Sequence, residues 1–355
     1  MMYRHALVIG KFYPPHAGHH HLVRSAEAVA EQVTVLVMAS AAESIPLADR
    51  VSWMQSIHPA VTVTGVVCDA PMDLGSDTVW AAQVACMRAA VRRATGVPVD
   101  AVVSSEKYGD ELAHRFSAVH VSIDPERVAY PVSGTACRAD LVARWDDLAD
   151  ATCAGLTTRI VVLGAESTGT TTVSRAVAEH YRARGGVWER TQWVPEYGRQ
   201  ATVDKLDEAQ RRDPDATMDD LVWTGDDFAR IAAEQSRLEE DAARRGSPVL
   251  ICDTDAFATT VWERRYLGDF GGYAVAPERR ALYLLTDHVG VPFVQDGIRD
   301  GEHIRTGMTG WFEDALTDAG RSWVLLTGGL EERIELAVRV IDQALRLNTA
   351  FADPL

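Results

Sequence analysis

Short apolar runs alternate with amphipathic segments along the first third of the chain. Residues 7–9 have the composition of a buried parallel strand, which ends at Gly10. Runs rich in β-branched residues predict further strands over 33–38, 61–67, 101–104 and 118–122. Apolar residues at helical spacing predict helices over 19–30, 48–57, 77–94 and 107–116. This alternation favours right-handed crossovers and a parallel sheet, whose ligands bind at the carboxyl ends of the strands.

The same alternation starts again near residue 159. Strands are predicted over 159–163, 192–194, 249–255, 282–285 and 321–326, and helices over 172–181, 218–245 and 331–347. A helix predicted over 139–148 precedes this second series, and the small, polar stretch 151–158 indicates a domain boundary. We therefore expect an α/β chain of two domains, 1–152 and 158–350, each a parallel sheet flanked by helices.

Composition adds limits to this picture. The chain has 355 residues, of which 47% are hydrophobic, which is ample for two buried cores. Its formal net charge of −16 disfavours a nucleic-acid or anionic-membrane partner, although a local basic pocket for phosphates is compatible with it. Five cysteines without a CxxC pair indicate reduced thiols that serve in packing. Without a signal peptide or a long apolar span we expect a cytoplasmic protein, and a homo-oligomer is left open.

The first predicted junction between strand and helix is suited to binding an anion. Segment 10–19 reads GKFYPPHAGH, so His16 and His19 lie where the strand ends and the helix begins. Unpaired backbone N–H groups and the helix dipole favour an anion there, and imidazoles can donate further hydrogen bonds to phosphate oxygens. Lys11 could add charge or be a solvated side chain. His20 and His21 fall outside the motif and are interpreted as ordinary helix residues.

Segment 10–19 resembles the signature of the HxGH nucleotidyltransferase superfamily. Residues 133–138, SGTACR, are similar to its SxTxxR element, and the two matches stand in the right order about a domain's length apart. The resemblance implies transfer of a nucleotide from ATP to a phosphorylated acceptor, with release of pyrophosphate and with Mg²⁺ bridging phosphate oxygens. It implies that His16 and His19 hold the phosphates of ATP and that Arg138 holds the departing pyrophosphate. The nucleotide-binding residues that it implies are Gly10, Lys11, Phe12, Gly18, Ser133 and Thr135.

Two further segments narrow the acceptor. Residues 103–109, VSSEKYG, together with 132–135, VSGT, resemble the nicotinamide-mononucleotide adenylyltransferase domain of the bifunctional NadR family. The residues alone indicate only nucleotidyl transfer, and nicotinamide mononucleotide as the acceptor is what the resemblance implies. Trp53 and Trp80 are candidates to stack on a nicotinamide or adenine ring, with packing in the core as the alternative for each.

A second phosphate-binding loop follows the strand predicted over 159–163. Residues 164–171 read GAESTGTT and precede a predicted helix, which is the order of a P-loop whose backbone N–H groups wrap phosphates. Thr170 occupies the position of the P-loop lysine, so another cation must act on the β- and γ-phosphates or phosphoryl transfer will be weak. The chain has only three lysines, which favours an arginine as the substitute. The predicted nucleotide-binding residues are Gly164, Ser167, Gly169, Thr170, Thr171 and Thr172.

Carboxylates downstream of the loop predict a kinase-like site. Asp253 ends an apolar strand at a Walker B position, where it would hold Mg²⁺ together with Thr171. Residues 195–199, PEYGR, resemble the acceptor element in the kinase half of the NadR family, with Glu196 as a candidate base. Asp255 is a rival base and could instead contact the substrate ribose, and the sequence does not choose between the two.

Residues 296–305, DGIRDGEHIR, resemble the mobile lid of small-molecule P-loop kinases. In such lids, arginines close over the transferring phosphoryl group. Arg299 or Arg305 could therefore supply the cation that Thr170 does not, and a solvated polar loop is the alternative reading of the segment.

The whole chain resembles the NadR-type proteins, which phosphorylate ribosylnicotinamide in one half and adenylylate the resulting mononucleotide in the other. The small-molecule partners that this implies are ATP, nicotinamide mononucleotide, ribosylnicotinamide and NAD. Some members of the family also carry an N-terminal helix-turn-helix repressor domain, for which residues 1–6 leave no room, so we expect no operator binding. Two alternatives stay open: a C-terminal half that binds nucleotide as a regulatory module, and a different acceptor such as pantetheine phosphate or a sugar phosphate.

Overall fold

A computed structural model describes residues 2–71, 73–268, 280–296, 299 and 301–354. The chain divides into two compact units, one formed by Met1–Gly155 with Thr349–Leu355 and the other by Leu156–Asn348. Each unit contains a five-stranded sheet with all neighbouring strands parallel, and helices flank it. The predicted fold class is confirmed.

The first unit alternates strands and helices in sequence order. Its strands are β1 (Tyr3–Gly10), β2 (Ala30–Ala39), β3 (Thr62–Val67), β4 (Ala101–Ser104) and β5 (Val119–Ser122). Its helices are α1 (Ala17–Val29), α2 (Leu47–Ile57), α3 (Asp77–Ala94), α4 (Gly109–Phe116), α5 (Gly134–Ala139) and α6 (Asp150–Leu156). The strand order is β3-β2-β1-β4-β5, so β1 is the central strand and its carboxyl end lies in the middle of the sheet edge.

Both faces of β1 are covered, which explains its continuous apolar run. Ala6 and Val8 pack in a core cluster with residues of α1 and α2, whereas Leu7 packs on the opposite face with Trp80 and Leu112 of α3 and α4. Because successive side chains of a strand point to opposite faces, a central strand of a parallel sheet covered on both faces buries consecutive apolar residues.

The second unit repeats this architecture. Its strands are β6 (Thr158–Leu163), β7 (Gln192–Val194), β8 (Val249–Asp253), β9 (Ala281–Thr286) and β10 (Trp323–Leu326). Its helices are α7 (Thr170–Arg182), α8 (Tyr197–Arg212), α9 (Gly225–Arg245), α10 (Ala256–Leu267), α11 (Arg305–Asp318) and α12 (Leu330–Asn348). The strand order is β10-β9-β6-β8-β7, so β6 is central and all six of its residues are buried. The loop after β6 therefore opens at the middle of the sheet, as the loop after β1 does.

Two helix predictions were wrong in their bounds. No helix spans 139–148: α5 begins earlier, at Gly134, because the Ser133 hydroxyl accepts a hydrogen bond from the Ala136 N–H at 3.1 Å and caps that end. Residues 150–156 form α6 with Cys153 buried, and the division between the two units, after Gly155, falls within the predicted boundary stretch 151–158. The helix predicted from residue 218 begins only at Gly225, where Thr224 caps it.

The last residues of the chain belong to the first unit. Ala352 accepts a hydrogen bond from the Tyr13 hydroxyl at 3.0 Å and donates its N–H to the Ser44 hydroxyl at 2.8 Å, and the Phe351 ring meets Tyr13 edge-on. A first domain of residues 1–152 therefore omits a C-terminal tail that contacts the HxGH loop. All five cysteines are free thiols. Among the described helices, none is both long and apolar enough to cross a membrane.

Candidate nucleotide-binding sites

The HxGH loop connects β1 to α1 and brings two imidazoles together. His16 lies at the N-cap of α1, and its ring stacks on that of His19 with centroids 3.7 Å apart. The backbone N–H of His16 donates to Nδ1 of His19 at 3.3 Å. Gly18 leaves room for the His16 ring, since a Cβ there would lie 3.2 Å from Cε1 of His16 and the ring would have to shift slightly. Phe12 is buried and its ring covers Gly10, so the apolar side of the loop is closed.

Burial keeps both imidazoles neutral. It lowers the pKa of His16 to about 4, with the positive charge of Arg127 adding to the effect. It lowers the pKa of His19 well below the ordinary value, and the neighbouring His16 contributes. Nδ1 of His16 is buried and has no hydrogen-bond partner among the described residues. A neutral imidazole carries one N–H, so the pair can donate hydrogen bonds to an anion without first being charged.

The SxTxxR element meets the HxGH loop through Arg138. Nη1 of this arginine donates to the Tyr13 carbonyl at 2.7 Å, and Nη2 donates to the Thr135 hydroxyl at 3.3 Å. The guanidinium also lies 5.1 Å from the centre of the Tyr13 ring. The structure thus brings Ser133, Thr135 and Arg138 beside the loop that carries the two histidines.

Lys11 is held in an ion-pair network that the sequence did not indicate. Its Nζ lies 2.9 Å from Oε1 of Glu43, whose other oxygen lies 2.7 Å from Nη1 of the buried Arg50. That guanidinium also donates to the Lys11 carbonyl at 2.9 Å. Burial raises the pKa of Glu43, but hydrogen bonds from Lys11 and Arg50 outweigh it and leave the pKa below its ordinary value. Lys11 is therefore a positioned charge, and the network orders the backbone of the loop.

A small apolar cavity of about 70 Å³ opens beside Gly10 at the carboxyl ends of β1 and β2. Trp80 and Tyr108 form part of its wall, and the Trp80 N–H donates to the Leu74 carbonyl at 3.1 Å. Trp53 does not line this cavity: its ring lies against Gly155, where a Cβ would approach within 2.2 Å. Of the two tryptophans that the sequence offered for stacking, only Trp80 lies at the loop.

His20 is not an ordinary helix residue. Its Nδ1 lies 3.0 Å from Nε2 of His58, and Nδ1 of His58 lies 3.7 Å from a carboxylate oxygen of Glu27. Burial lowers the pKa of His20 to about 3, with His58 as the next cause. This neutral pair lies directly behind the HxGH motif on α1 and was not predicted, because its partner histidine is 38 residues away in sequence.

The P-loop of the second unit connects β6 to α7. Gly164 admits no side chain, because a Cβ there would lie 2.4 Å from Oγ1 of Thr286. Gly169 has φ of +91°, in the left-handed region that glycine favours. Ser167 accepts the Val294 N–H at 2.8 Å. These contacts shape the loop that precedes Thr170, Thr171 and Thr172 at the start of α7.

Thr171 and Asp253 form the pair expected of a magnesium site. The Thr171 hydroxyl donates to Oδ2 of Asp253 at 2.6 Å, and Oδ1 of the same buried carboxylate has no partner among the described residues. Burial raises the pKa of Asp253, and the hydrogen bond from Thr171 opposes that shift. The described residues contain no group of three or more His, Cys, Asp and Glu side chains that could hold a metal. The pair still fits Mg²⁺, which is usually bound by one or two carboxylates together with substrate phosphates and water.

A cavity of about 370 Å³ extends from the P-loop. Its wall combines Glu196 and Asp253 with a set of large apolar side chains: Trp193, Met218, Trp223, Phe228, Trp262 and Tyr266. The rings of Trp223, Phe228 and Tyr266 lie 5.5 to 6.1 Å apart, centre to centre. The sequence did not indicate this aromatic wall, because its members come from separate elements.

The two rival carboxylates have different surroundings. Glu196 lines the cavity, and burial together with the charge of Asp253 raises its pKa to about 7. Asp255 caps α10 instead: Oδ1 accepts the Ala258 N–H and Oδ2 accepts the Tyr283 hydroxyl, both at 2.8 Å. Asp255 is buried and does not line the cavity. The structure therefore favours Glu196 over Asp255 as a group that reaches a bound acceptor.

The two arginines predicted for the lid differ in whether they line the cavity. Arg299 lines the cavity and donates to the Val294 carbonyl at 2.7 Å. Arg305 does not line it: Nη2 donates to the carbonyls of Ser167 and Val291 at 3.1 and 3.0 Å, so this side chain braces the P-loop backbone. Three other positions of the predicted lid, Gly297, Ile298 and Asp300, lie outside the described residues. Two arginines that the sequence did not single out, Arg175 and Arg199, line the cavity.

Comparison with known proteins supports the resemblance inferred from the motifs. The chain is 22% identical over 318 residues to the trifunctional NAD biosynthesis/regulator protein NadR of Salmonella typhimurium, covering 82% of this chain and 71% of that protein. The Escherichia coli protein of the same name gives the same identity and coverage. A family model described as an AAA domain matches residues 159–333.

Solved structures extend the likeness to the fold. A crystal structure of NadR protein in complex with NR superposes with a TM-score of 0.61 at 18% identity, covering 98% of this chain and 97% of that one. A NadR protein in complex with NAD and AMP-PNP gives 0.61 at 17% identity, covering 97% and 96%. The chain is therefore similar to the NadR proteins in sequence and shares their two-unit fold.

Proposed function

We propose that the chain makes NAD from ribosylnicotinamide in two steps. The second unit phosphorylates ribosylnicotinamide with ATP, and the first unit adenylylates the resulting mononucleotide with a second ATP. The observation that carries the proposal is the presence, in one NadR-like chain, of an HxGH loop and of a P-loop whose cavity is lined by carboxylates and aromatic rings. The HxGH loop, with its hydrogen-bond donors, suits a phosphate acceptor. The cavity beside the P-loop, with its carboxylates, suits a hydroxyl acceptor.

In the first unit, a phosphate oxygen of nicotinamide mononucleotide attacks the α-phosphorus of ATP. The bond between the α-phosphorus and the bridging oxygen breaks, and pyrophosphate leaves. The acceptor phosphate is already an anion, so the step needs positioning and charge stabilisation rather than a base. His16 and His19 donate N–H groups to the phosphates, and Arg138 neutralises the departing pyrophosphate.

In the second unit, the primary hydroxyl of the ribose attacks the γ-phosphorus of ATP. Its proton passes to Glu196, whose pKa of about 7 suits a general base, and the bond between the γ-phosphorus and ADP breaks. Thr171 and Asp253 would hold Mg²⁺, which would supply positive charge to offset that of the phosphates. The P-loop backbone orients the triphosphate.

The wall of the second cavity supports a nicotinamide-bearing acceptor. The pyridinium ring of ribosylnicotinamide carries a positive charge, and aromatic faces attract such a cation. Trp223, Phe228 and Tyr266 offer these faces, and Glu196 adds a carboxylate to the same cavity. A neutral nucleoside would gain less from this lining.

A coupled assay tests the proposal. Purified protein is given ATP, Mg²⁺ and ribosylnicotinamide, or nicotinamide mononucleotide in a parallel reaction, and mononucleotide and NAD are resolved by chromatography. We expect NAD in both reactions. Asp253→Asn is the matched control: it should stop the first reaction and leave the second unchanged.

Two other results of this assay would contradict the proposal, and each would point to a different function. The missing P-loop lysine favours a regulatory reading of the second unit, in which case only the parallel reaction gives NAD and Asp253→Asn changes nothing. If neither reaction gives NAD, a panel of phosphorylated acceptors that includes pantetheine phosphate and sugar phosphates identifies the acceptor of the first unit.

A further inference from the structure

Arg175 lies on the face of α7 that turns toward the P-loop site. It is four residues after Thr171, and side chains at this spacing lie on one face of a helix. Thr171 itself donates to Asp253 at 2.6 Å. The guanidinium of Arg175 lies 4.4 Å from the centre of the Trp193 ring and lines the same cavity. The arginine is thus directed into the site between the P-loop and the aromatic wall.

The other arginines of this cavity are already engaged. Arg199 lies 2.5 Å from a carboxylate oxygen of Asp296, and Arg299 donates to the Val294 carbonyl and lies 3.7 Å from the same carboxylate. Arg175 makes no ion pair or hydrogen bond with the part of the chain that the structure describes. Of the three, it is the guanidinium whose charge is available to a ligand.

Arg175 lies where its positive charge could replace that of the P-loop lysine, whose position Thr170 occupies. Side chains of a helix tilt toward its N-terminus, so Arg175 is directed back toward the first turn, where the loop cradles phosphates. Five residues correspond to about 7.5 Å along the helix axis, a distance that an extended arginine side chain can cover. The guanidinium lies over the Trp193 ring, close enough to Asp253 for its charge to lower the pKa of that carboxyl.

We propose that Arg175 replaces the missing P-loop lysine and neutralises the γ-phosphoryl group during its transfer. The bond from the γ-phosphorus to ADP breaks as the bond to the acceptor oxygen forms, and the guanidinium contacts the equatorial oxygens on which charge collects. Arg175 is less suited to binding the acceptor, because ribosylnicotinamide is itself a cation and the two positive charges would repel each other. The inference rests on the proposed phosphorylation of ribosylnicotinamide by the second unit.

Four variants of the full chain test this role: Arg175→Ala, Thr170→Lys, the double variant, and Arg212→Ala as a control on an exposed face of α8. Arg175→Ala should lower kcat for ribosylnicotinamide phosphorylation about 100-fold with little change in the KM of the acceptor, as expected for a lost transition-state contact. Thr170→Lys in the Arg175→Ala background should recover at least about tenfold, because lysine restores the charge at its usual position. Adenylyl transfer should not change in any variant.

The outcomes separate this proposal from the proposed function. If the natural chain phosphorylates ribosylnicotinamide and Arg175→Ala retains full kcat, the role of Arg175 is overturned and the kinase stands. The role is also overturned if the loss lies in the KM of the acceptor and Thr170→Lys does not rescue it. If neither the natural chain nor Thr170→Lys forms mononucleotide, the proposed kinase activity fails, and with it the inference. Melting curves of all variants should coincide, since Arg175 is exposed.

Discussion

The loop after β1 and the loop after β6 occupy equivalent places in their sheets, but different side chains surround them. Each joins the central strand of a five-stranded parallel sheet to a helix. The first brings together two stacked imidazoles, and its nearby carboxylate, Glu43, is paired with Lys11 and Arg50. The second has no lysine, and its cavity contains Glu196 and the partly unpaired Asp253.

This difference follows from the acceptor that each site is proposed to serve. A phosphate acceptor arrives as an anion, so donors and cations are useful and a free carboxylate would repel it. A hydroxyl acceptor must lose a proton, so the site needs a base and a metal ion to offset the extra negative charge. The same strand–loop–helix geometry therefore supports two chemistries, and the side chains around each loop decide between them.

The largest expected effect comes from removing a histidine of the first loop. His19→Ala should lower adenylyl transfer to nicotinamide mononucleotide about 100- to 1000-fold, because one preorganised donor to the phosphates is lost. Phosphorylation of ribosylnicotinamide should not change. Initial rates of both reactions measure this, with His21→Ala on the same helix as the control. Equal losses in the two reactions would contradict the assignment of separate sites.

A smaller effect is expected at Glu196, and its pH dependence sharpens the comparison. A base must be deprotonated, and burial raises the pKa of Glu196 to about 7, so kcat/KM of the kinase should be lost as the pH falls through about 7. Glu196→Gln should lower kcat about 100-fold and remove this part of the profile. Adenylyl transfer should show no such change. Because ATP also titrates near this pH, an unchanged profile in Glu196→Gln would rule the base out.

The smallest effect is expected at the C-terminal tail. Phe351 meets Tyr13 edge-on, and Arg138 is bonded to the carbonyl of the same tyrosine. Loss of such a ring pair costs roughly 1 kcal/mol, so Phe351→Ala should slow adenylyl transfer about fivefold and spare the kinase. The control is Leu347→Ala, at an exposed position of α12. An unchanged adenylyl transfer rate would show that the tail does not position the loop.

The sequence predicted the strands and both phosphate-binding loops because their signals come from residues that are neighbours along the chain. The central strands are covered on both faces, so they read as continuous apolar runs, and each phosphate-binding loop lies within ten consecutive residues. No helix was predicted over α8, α10 or α11, and α8 shows one reason. Only Ala201 is buried in α8, so its pattern gave no helical signal, and no strand or helix was assigned there.

The sequence by itself determined the α/β class, the order of the strands and the two loops, because backbone preferences and short motifs depend on neighbours along the chain. Only the tertiary structure decided which charged groups meet. It paired Lys11 with Glu43, turned Asp255 into a helix cap, removed Arg305 from the cavity and brought Arg175 into it. The physical reason is that charge–charge and hydrogen-bond energies depend on distance in space, and folding sets those distances for residues that are far apart in sequence.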